Sequence, residues 1–408
     1  MFCAACNAKL EFDILDLGKA PITNNLLSKI PKKKFKASYS LKVSICHKCW
    51  LTQTKHKINP KKIFNKDYPY FSSFSSSWLS HCEKLSTKII KKFNLDKNSL
   101  VAEVASNDGY LLQYFKKKNI KCYGIEPTKS TANAAKKKGI KTFNKFFNTK
   151  IAKHLSKNYK ADVIIANNVL AHVPNLRSFI NSFRILLKKN GVAIFEFHYL
   201  LNLIKKNQFD TVYHEHYFYH SLYSLNKIFN ILGLKIFDAE KIKSHGGSLR
   251  IYVCKSENID FAETLRLKKL KKKEIEIGIN KKYFYAKLQS NAILIKNRLR
   301  KFLSECKKKK DIVMGYGAAA KGITLINFSK IGHDTLEYII DKNPAKQNKI
   351  LPQSNIKIVD LSYLKKIRPK YIIILPWNLK NEVKEELNFI KNWGGKFVVF
   401  VPKFQILK

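Results

Sequence analysis

Val101-Ala102-Glu103-Val104-Ala105-Ser106-Asn107-Asp108-Gly109-Tyr110 decides the fold. An apolar strand pattern ends in a turn of small and polar side chains, and residues 111–115 begin a helix pattern. Such a turn lets the backbone approach a ligand closely. It departs from GxGxxG, since Gly109 is its only glycine and Ala105 and Asn107 stand where many nucleotide loops carry one. The next predicted strand ends Gly124-Ile125-Glu126-Pro127, and Glu126 lies 17 residues beyond Gly109. Acidic side chains near that spacing meet ribose hydroxyls in such folds. A third strand end, Ala166-Asn167-Asn168-Val169-Leu170-Ala171-His172-Val173-Pro174, is polar and faces the same crevice.

Outward from this loop the chain divides into three textures, which suits 408 residues at about 150 per domain. Residues 1–65 carry paired cysteines, Pro and short apolar runs. Residues 66–255 alternate helix patterns with strand patterns at 100–104, 121–125, 162–166 and 192–197, the signature of a parallel sheet. Residues 256–408 open with a Lys-rich stretch at 261–310. Its Leu288, Ala292, Ile295, Leu299 and Phe302 recur in steps of three and four, which predicts long helices packing between domains. Strand patterns then return at 311–316, 336–341, 356–360, 370–375 and 396–400, predicting a second, smaller doubly wound domain.

Composition narrows the class. Hydrophobic residues make up 45% and aromatics 12%, enough for ordinary cores. No apolar run approaches the roughly 18 residues of a bilayer span, and Met1-Phe2-Cys3-Ala4 does not open a secretory signal, so a cytoplasmic protein without membrane partners is expected. With 78 Lys and Arg against 29 Asp and Glu, the formal charge is +49. Lysines spread along the whole chain and arginine, which reads bases, is scarce, so no nucleic-acid partner is expected. The rival is a basic surface that grips RNA, which would bind with steep salt dependence.

Cys3-Ala4-Ala5-Cys6 and Cys46-His47-Lys48-Cys49 are two Cys-x-x-Cys knuckles 39 residues apart. Four thiolates so spaced suit a closed, structural Zn²⁺ site, with the intervening chain folded as a small module and His47 outside the ligand set. The densest chemical signal is Phe209-Asp210-Thr211-Val212-Tyr213-His214-Glu215-His216-Tyr217. Imidazoles, a carboxylate and phenols are costly to bury unless paired. If extended, the segment points Tyr213, Glu215 and Tyr217 to one face and His214 and His216 to the other. A His-x-His-plus-Glu metal site is the alternative.

Together these motifs resemble the sugar C-methyltransferases, which methylate a ring carbon of nucleotide-linked keto-deoxysugars with S-adenosylmethionine (SAM). The resemblance runs along the whole chain. It adds Tyr68-Pro69-Tyr70-Phe71-Ser72-Ser73, His245-Gly246-Gly247-Ser248, Gly315-Tyr316-Gly317-Ala318-Ala319-Ala320-Lys321-Gly322, and Asp341-Lys342-Asn343-Pro344 with Lys346-Gln347-Asn348. It implies an α/β fold: a Rossmann-like class I methyltransferase core, a small N-terminal zinc-binding module and a second Rossmann-like C-terminal domain that helps hold the nucleotide-sugar. It also implies His216 as general base with Tyr213 and Glu215 beside it, and His172, Tyr68 and Tyr70 as further active-site residues. SAM would meet Glu103, Ala105, Ser106, Asn107, Gly109, Glu126, Asn167 and Asn168. His245, Gly246, Gly247, Tyr316 and Lys321 would meet the nucleotide-sugar, Lys321 as a point charge for the diphosphate beside the amides of its glycine-rich turn.

The implied chemistry suits these residues. An imidazole can take the weakly acidic proton beside a ketone when hydrogen-bond donors stabilise the enolate. Glu215 either orients His216 or polarises sugar hydroxyls. Acceptor class, probed with a nucleotide 4-keto-6-deoxy sugar methylated at carbon 3, separates this reading from an RNA methyltransferase with a zinc-assisted basic RNA-binding surface and from a non-catalytic nucleotide-sugar-binding scaffold. A monomer or homodimer is expected.

Overall fold

The computed structural model describes residues 1–29, 38–64 and 71–407, so Tyr68 and Tyr70 lie outside the described residues. Its amino-terminal strands are β1 (Phe12–Ala20), β2 (Tyr39–Ile45) and β3 (Thr52–Thr54). Helix α1 (Ser76–Lys92) leads into β4 (Leu100–Val104), β5 (Lys121–Ile125), β6 (Lys141–Phe143), β7 (Ala161–Asn167) and β8 (Leu187–His198). The short β9 (Phe218–Tyr219) precedes β10 (Leu234–Ile242) and β11 (Ser248–Lys255).

The central sheet runs β10-β11-β8-β7-β4-β5-β6. The β8-β7-β4-β5-β6 portion is parallel, and β11 lies antiparallel between β8 and β10. Because β4 has β5 on one side and β7 on the other, the chain leaves it in two directions and opens a crevice at the carboxyl ends of these strands. The 101–110 loop follows β4 as expected, and the sheet is the class I methyltransferase arrangement that the resemblance implies. The four expected central strands are present; β6, β10 and β11 were not foreseen, and neither were β1 to β3.

Helices α2 (Leu265–Glu276) and α3 (Leu288–Lys308) occupy the Lys-rich stretch. Leu288, Ala292 and Leu299 are buried, with Ile295 and Phe302 packed against the same core, as their spacing requires. The carboxy-terminal strands β12 (Val313–Tyr316), β13 (Tyr338–Ile340), β14 (Lys357–Val359), β15 (Tyr371–Ile374), β16 (Lys396–Val399) and β17 (Gln405–Leu407) form a sheet ordered β14-β13-β12-β15-β16-β17. Its first five strands are parallel and β17 is antiparallel. Helix α4 (Ala320–Phe328) follows β12. This second doubly wound sheet has its switch point between β12 and β15.

The amino-terminal sheet ties the molecule together. Its order is β1-β2-β3-β9, so its last strand comes from the central region, just beyond the acid/base cluster. One core joins Cys3, Cys46 and Leu51 to the central region, while Ile14, Leu15, Leu41 and Val43 share a core with α3 and the carboxy-terminal sheet. No helix among the described residues is long and apolar enough to cross a membrane.

Candidate active site

The loop after β4 is held by unusual backbone. Ala105, Asn107 and Gly109 take φ values of 57°, 48° and 78°, left-handed conformations that cost a non-glycine residue energy unless its surroundings fix them. Glu126 supplies that fixing: one carboxylate oxygen accepts from Asn107 N at 2.9 Å and the other from Thr128 N at 2.8 Å. Gly124 is required next door, because a Cβ there would lie 2.2 Å from Ser106 Oγ.

Buried polar atoms without hydrogen-bond partners gather around this loop. They include both Glu103 oxygens, Ser106 Oγ, Asp108 Oδ1, both side-chain polar atoms of Asn167, and Asn168 Oδ1. Burial pushes the Glu103 carboxyl well above its ordinary range. Such a cluster is costly in an empty protein interior. It fits SAM, whose ammonium, carboxylate and ribose hydroxyls supply the matching donors and acceptors, and every residue expected at the cofactor lies on this loop or at the ends of β4, β5 and β7.

The acid/base cluster does not extend. His216 N donates to Tyr213 O at 2.9 Å and closes a turn, so Tyr213 and His216 share a face, their rings 4.0 Å apart, instead of alternating. The three groups of the metal alternative also diverge. His214 turns to Tyr39 O at 3.2 Å, Glu215 to Asn24 and Thr23, and His216 Nδ1 to Thr211 O at 2.8 Å. A carbonyl only accepts, so Nδ1 of His216 carries the proton and Nε2 keeps its lone pair.

Tyr217 N donates to Ala171 O at 2.7 Å, which lays the 168–174 loop beside the cluster. His172 and His216 stand 4.7 Å apart. His198, at the end of β8, is 6.2 Å from His216 and 6.0 Å from His245. Trp78 of α1 lies 5.0 Å from His245 and 5.9 Å from Tyr110, joining the histidines to the SAM loop. Burial brings His172 and His245 down to about 4 and His198 and His216 well below the usual imidazole value. All four are neutral at pH 7.

His245 takes a left-handed φ of 52°. Ser244 beside it donates to Glu196 at 2.8 Å, and Arg250 holds the same carboxylate at 2.7 Å. Burial alone would raise Glu196, but the His81 hydrogen bond and the Arg250 charge hold it down at about 2. Gly246 and Gly247 are packing glycines: a Cβ would lie 2.3 Å from Trp377 Cη2 in the first case and 2.4 Å from Asn202 Nδ2 in the second.

From the carboxy-terminal sheet, Lys321 leaves the switch point after β12, and Trp377 and Asn378 leave it after β15. Lys321 Nζ donates to Asn378 Oδ1 at 2.7 Å and lies 4.7 Å over the Trp377 ring, whose Nε1 donates to Asp210 at 2.7 Å. Three of the turn's amides are engaged within the domain: Gly317 N meets Ile340 O, Ala318 N meets Asp341 Oδ2 and Ala319 N meets Gly317 O. Tyr316 is buried and donates to Glu386 at 3.3 Å.

The cysteines converge as their spacing requires. Their four sulfurs lie within 4.8 Å of one another, and His47 is exposed outside the group. Cys3–Cys49 at 3.5 Å and Cys6–Cys46 at 3.4 Å are far longer than a disulfide and suit a tetrahedral Zn²⁺. Both knuckles close alike: Asn7 N bonds Cys3 O, Trp50 N bonds Cys46 O, and both residues are left-handed.

Sequence reasoning missed His198, Asp210, Thr23, Asn24 and Trp377. His198 had a signal, since it directly follows a predicted strand whose carboxyl end faces the crevice. Thr23 and Asn24 had none.

Three family models match in order along the chain: a zinc binding domain on residues 3–64, a methyltransferase domain on residues 79–239 and a C-methyltransferase C-terminal domain on residues 243–402. The C-methyltransferase NovU of Streptomyces niveus is 28% identical over 407 residues, covering 99% of this chain and 96% of its own. Among solved structures, SAM-bound magnesium protoporphyrin IX methyltransferase from Synechocystis PCC 6803 is 15% identical with a TM-score of 0.36, over 50% of this chain and 100% of its own. The PH0226 protein of Pyrococcus horikoshii OT3 is 13% identical with a TM-score of 0.38, over 46% of this chain and 94% of its own.

Proposed function

We propose that this SAM-dependent methyltransferase, matched along its length by zinc binding, methyltransferase and C-methyltransferase C-terminal domain models, acts on a nucleotide-linked 4-keto-6-deoxy sugar and methylates carbon 3. The observation that carries this reading is the state of His216. Its Nδ1–H is fixed on Thr211 O, Tyr213 covers its ring, and burial keeps it neutral. A neutral imidazole with its Nε2 lone pair available is a base matched to a carbon acid beside a ketone, which releases its proton only when the resulting enolate is stabilised.

In this reading His216 Nε2 takes the proton from carbon 3, and the C–H electron pair moves into the enolate. Tyr213 would donate a hydrogen bond to one of the sugar's oxygens, such a donor being worth a few kcal/mol, about 3, at an oxyanion. Glu215 is a positioning residue, because its hydrogen bonds run to Asn24 and Thr23 of the amino-terminal module. Glu103, Asn167, Asn168 and the 105–109 loop would hold SAM, which supplies the methyl group and keeps the S–CH₃ electron pair on sulfur.

Mass spectrometry of transfer from methyl-labelled SAM tests the proposal, with a thymidine-diphosphate 4-keto-6-deoxyhexose and bulk RNA offered in parallel. Label on the sugar nucleotide, placed on carbon 3 by NMR, is the expected result. Label in RNA alone would overturn it.

A further inference from the structure

Two switch-point crevices face each other in this molecule. The central crevice contributes His172, His198, His216 and His245; the carboxy-terminal one contributes Lys321, Trp377 and Asn378. Their contact is tight, since Gly246 has no room for a Cβ against Trp377 and Asp210 accepts from Trp377 Nε1. Lys321, although its side chain retains some exposure, is pinned on both sides: Asn378 accepts its Nζ at 2.7 Å and Trp377 lies beneath it.

The surroundings of this ammonium are particular. The charge of Lys321 bears on His198 and His216, and on His245 it acts opposite Glu196. Asp210 is the one charged group that bears on Lys321 itself. A diphosphate site gathers several cations, commonly with arginine forks. A single fixed ammonium among neutral imidazoles, held in the cleft between two domains, suits one oxygen on which charge develops. At the turn, the amides of Gly317, Ala318 and Ala319 are occupied by Ile340 O, Asp341 and Gly317 O.

We propose that Lys321, held by Asn378 and Trp377 across the domain cleft, is a catalytic residue whose ammonium binds the ketone oxygen of the acceptor as it becomes an enolate. This rests on the ketosugar reading above. In the step, the C–H bond next to the carbonyl breaks and its electron pair forms the C=C bond. The carbonyl π pair moves onto oxygen, opposite Lys321, and the proton goes to His216 Nε2. The carboxy-terminal domain thereby completes the active site, and the lysine expected at the diphosphate serves the reacting centre.

The test uses the full-length zinc-loaded enzyme, a thymidine-diphosphate 4-keto-6-deoxyhexose and deuterium oxide with S-adenosylhomocysteine in place of SAM. Deuterium entering the carbon beside the ketone reports proton removal alone. Lys321→Met is expected to slow this exchange and kcat about 10²–10³-fold with KM changed less than threefold, while Lys321→Arg recovers part of the loss. Asn378→Ala, which keeps the ammonium but frees it, should lose a smaller factor, and unchanged SAM affinity in each variant would establish folding. A large rise in KM with kcat retained would make Lys321 a phosphate anchor and overturn the proposal, as would exchange equal to wild type. Failure of the wild-type enzyme to exchange or methylate the sugar would overturn the ketosugar reading instead.

Discussion

Asn24 donates its side-chain amide to Glu215 at 2.6 Å, joining the zinc module to the residue next to the proposed base across 191 positions of sequence. Thr23 adds a second hydrogen bond at 3.3 Å to the same oxygen. The strand that completes the module's sheet, β9, begins two residues after His216. The module therefore holds the 211–217 turn from both sides.

Asn24→Ala removes a hydrogen bond to a buried carboxylate, an interaction worth roughly 1.5–3 kcal/mol. A fall in kcat of about tenfold or more is expected, with SAM affinity unchanged. Combining it with Glu215→Gln in a double-mutant cycle should give a strongly non-additive loss, because both changes break the same contact. Additive losses would separate the module from catalysis.

Cys46→Ser removes one of four sulfurs from a closed site. Bound zinc, measured by atomic emission, should fall well below one per chain, and the thermal midpoint should drop by several degrees. The contacts that follow the knuckles, such as Arg177 to Ala5 O at 2.9 Å, loosen with it. Full metal content in this variant would remove Cys46 from the ligand set.

His216→Ala should cut turnover by about 10²–10⁴, the range for losing a positioned general base. Isothermal titration should show SAM binding retained, since the cofactor loop is fixed by Glu126 and not by the 211–217 turn. Normal turnover would dismiss His216 as the base.

The pH profile should be wide on the acid side and limited on the alkaline side. Burial, with His172 and Lys321 nearby, places His216 well below 6.5, so kcat should hold at pH 6 and fall only beneath it. Burial lowers Lys321 to about 8 despite the opposing Asp210 charge, so its ammonium is lost as pH rises through that value. Asp210, raised to about 6 by burial, stays ionised across the alkaline limb, and His198 and His245 stay neutral there. In Lys321→Arg the alkaline limb should move up by more than two units. An unmoved limb would assign it to another group.

Gly246→Ala places a methyl 2.3 Å from Trp377 Cη2 at a residue with φ of 88°. Overpacking and backbone strain of this kind cost about 1–3 kcal/mol each. A lower thermal midpoint together with a lower kcat is expected, because Trp377 carries Lys321 on its face. A lower midpoint with kcat unchanged would show that the cleft tolerates the shift.

The sequence by itself determined what depends on neighbours along the chain. The turn at residues 101–110, the apolar strands around it and the steps of three and four along α3 each follow from local periodicity and small-residue turns, and they suffice for two doubly wound sheets. The two knuckles likewise carry their own closing hydrogen bonds. Strands β1 to β3 and β9 were not legible, because they exist only as partners of one another and β9 is two residues long. The tertiary structure alone decided which polar side chains meet. Extended backbone would have put Tyr213 and Glu215 together, but a turn stacked Tyr213 on His216 and sent Glu215 to Asn24. Lys321 and Trp377 of the carboxy-terminal sheet meet His245 of the central region because buried polar and aromatic groups are stable only where partners converge, and convergence over such distances in sequence leaves no periodic mark in the chain.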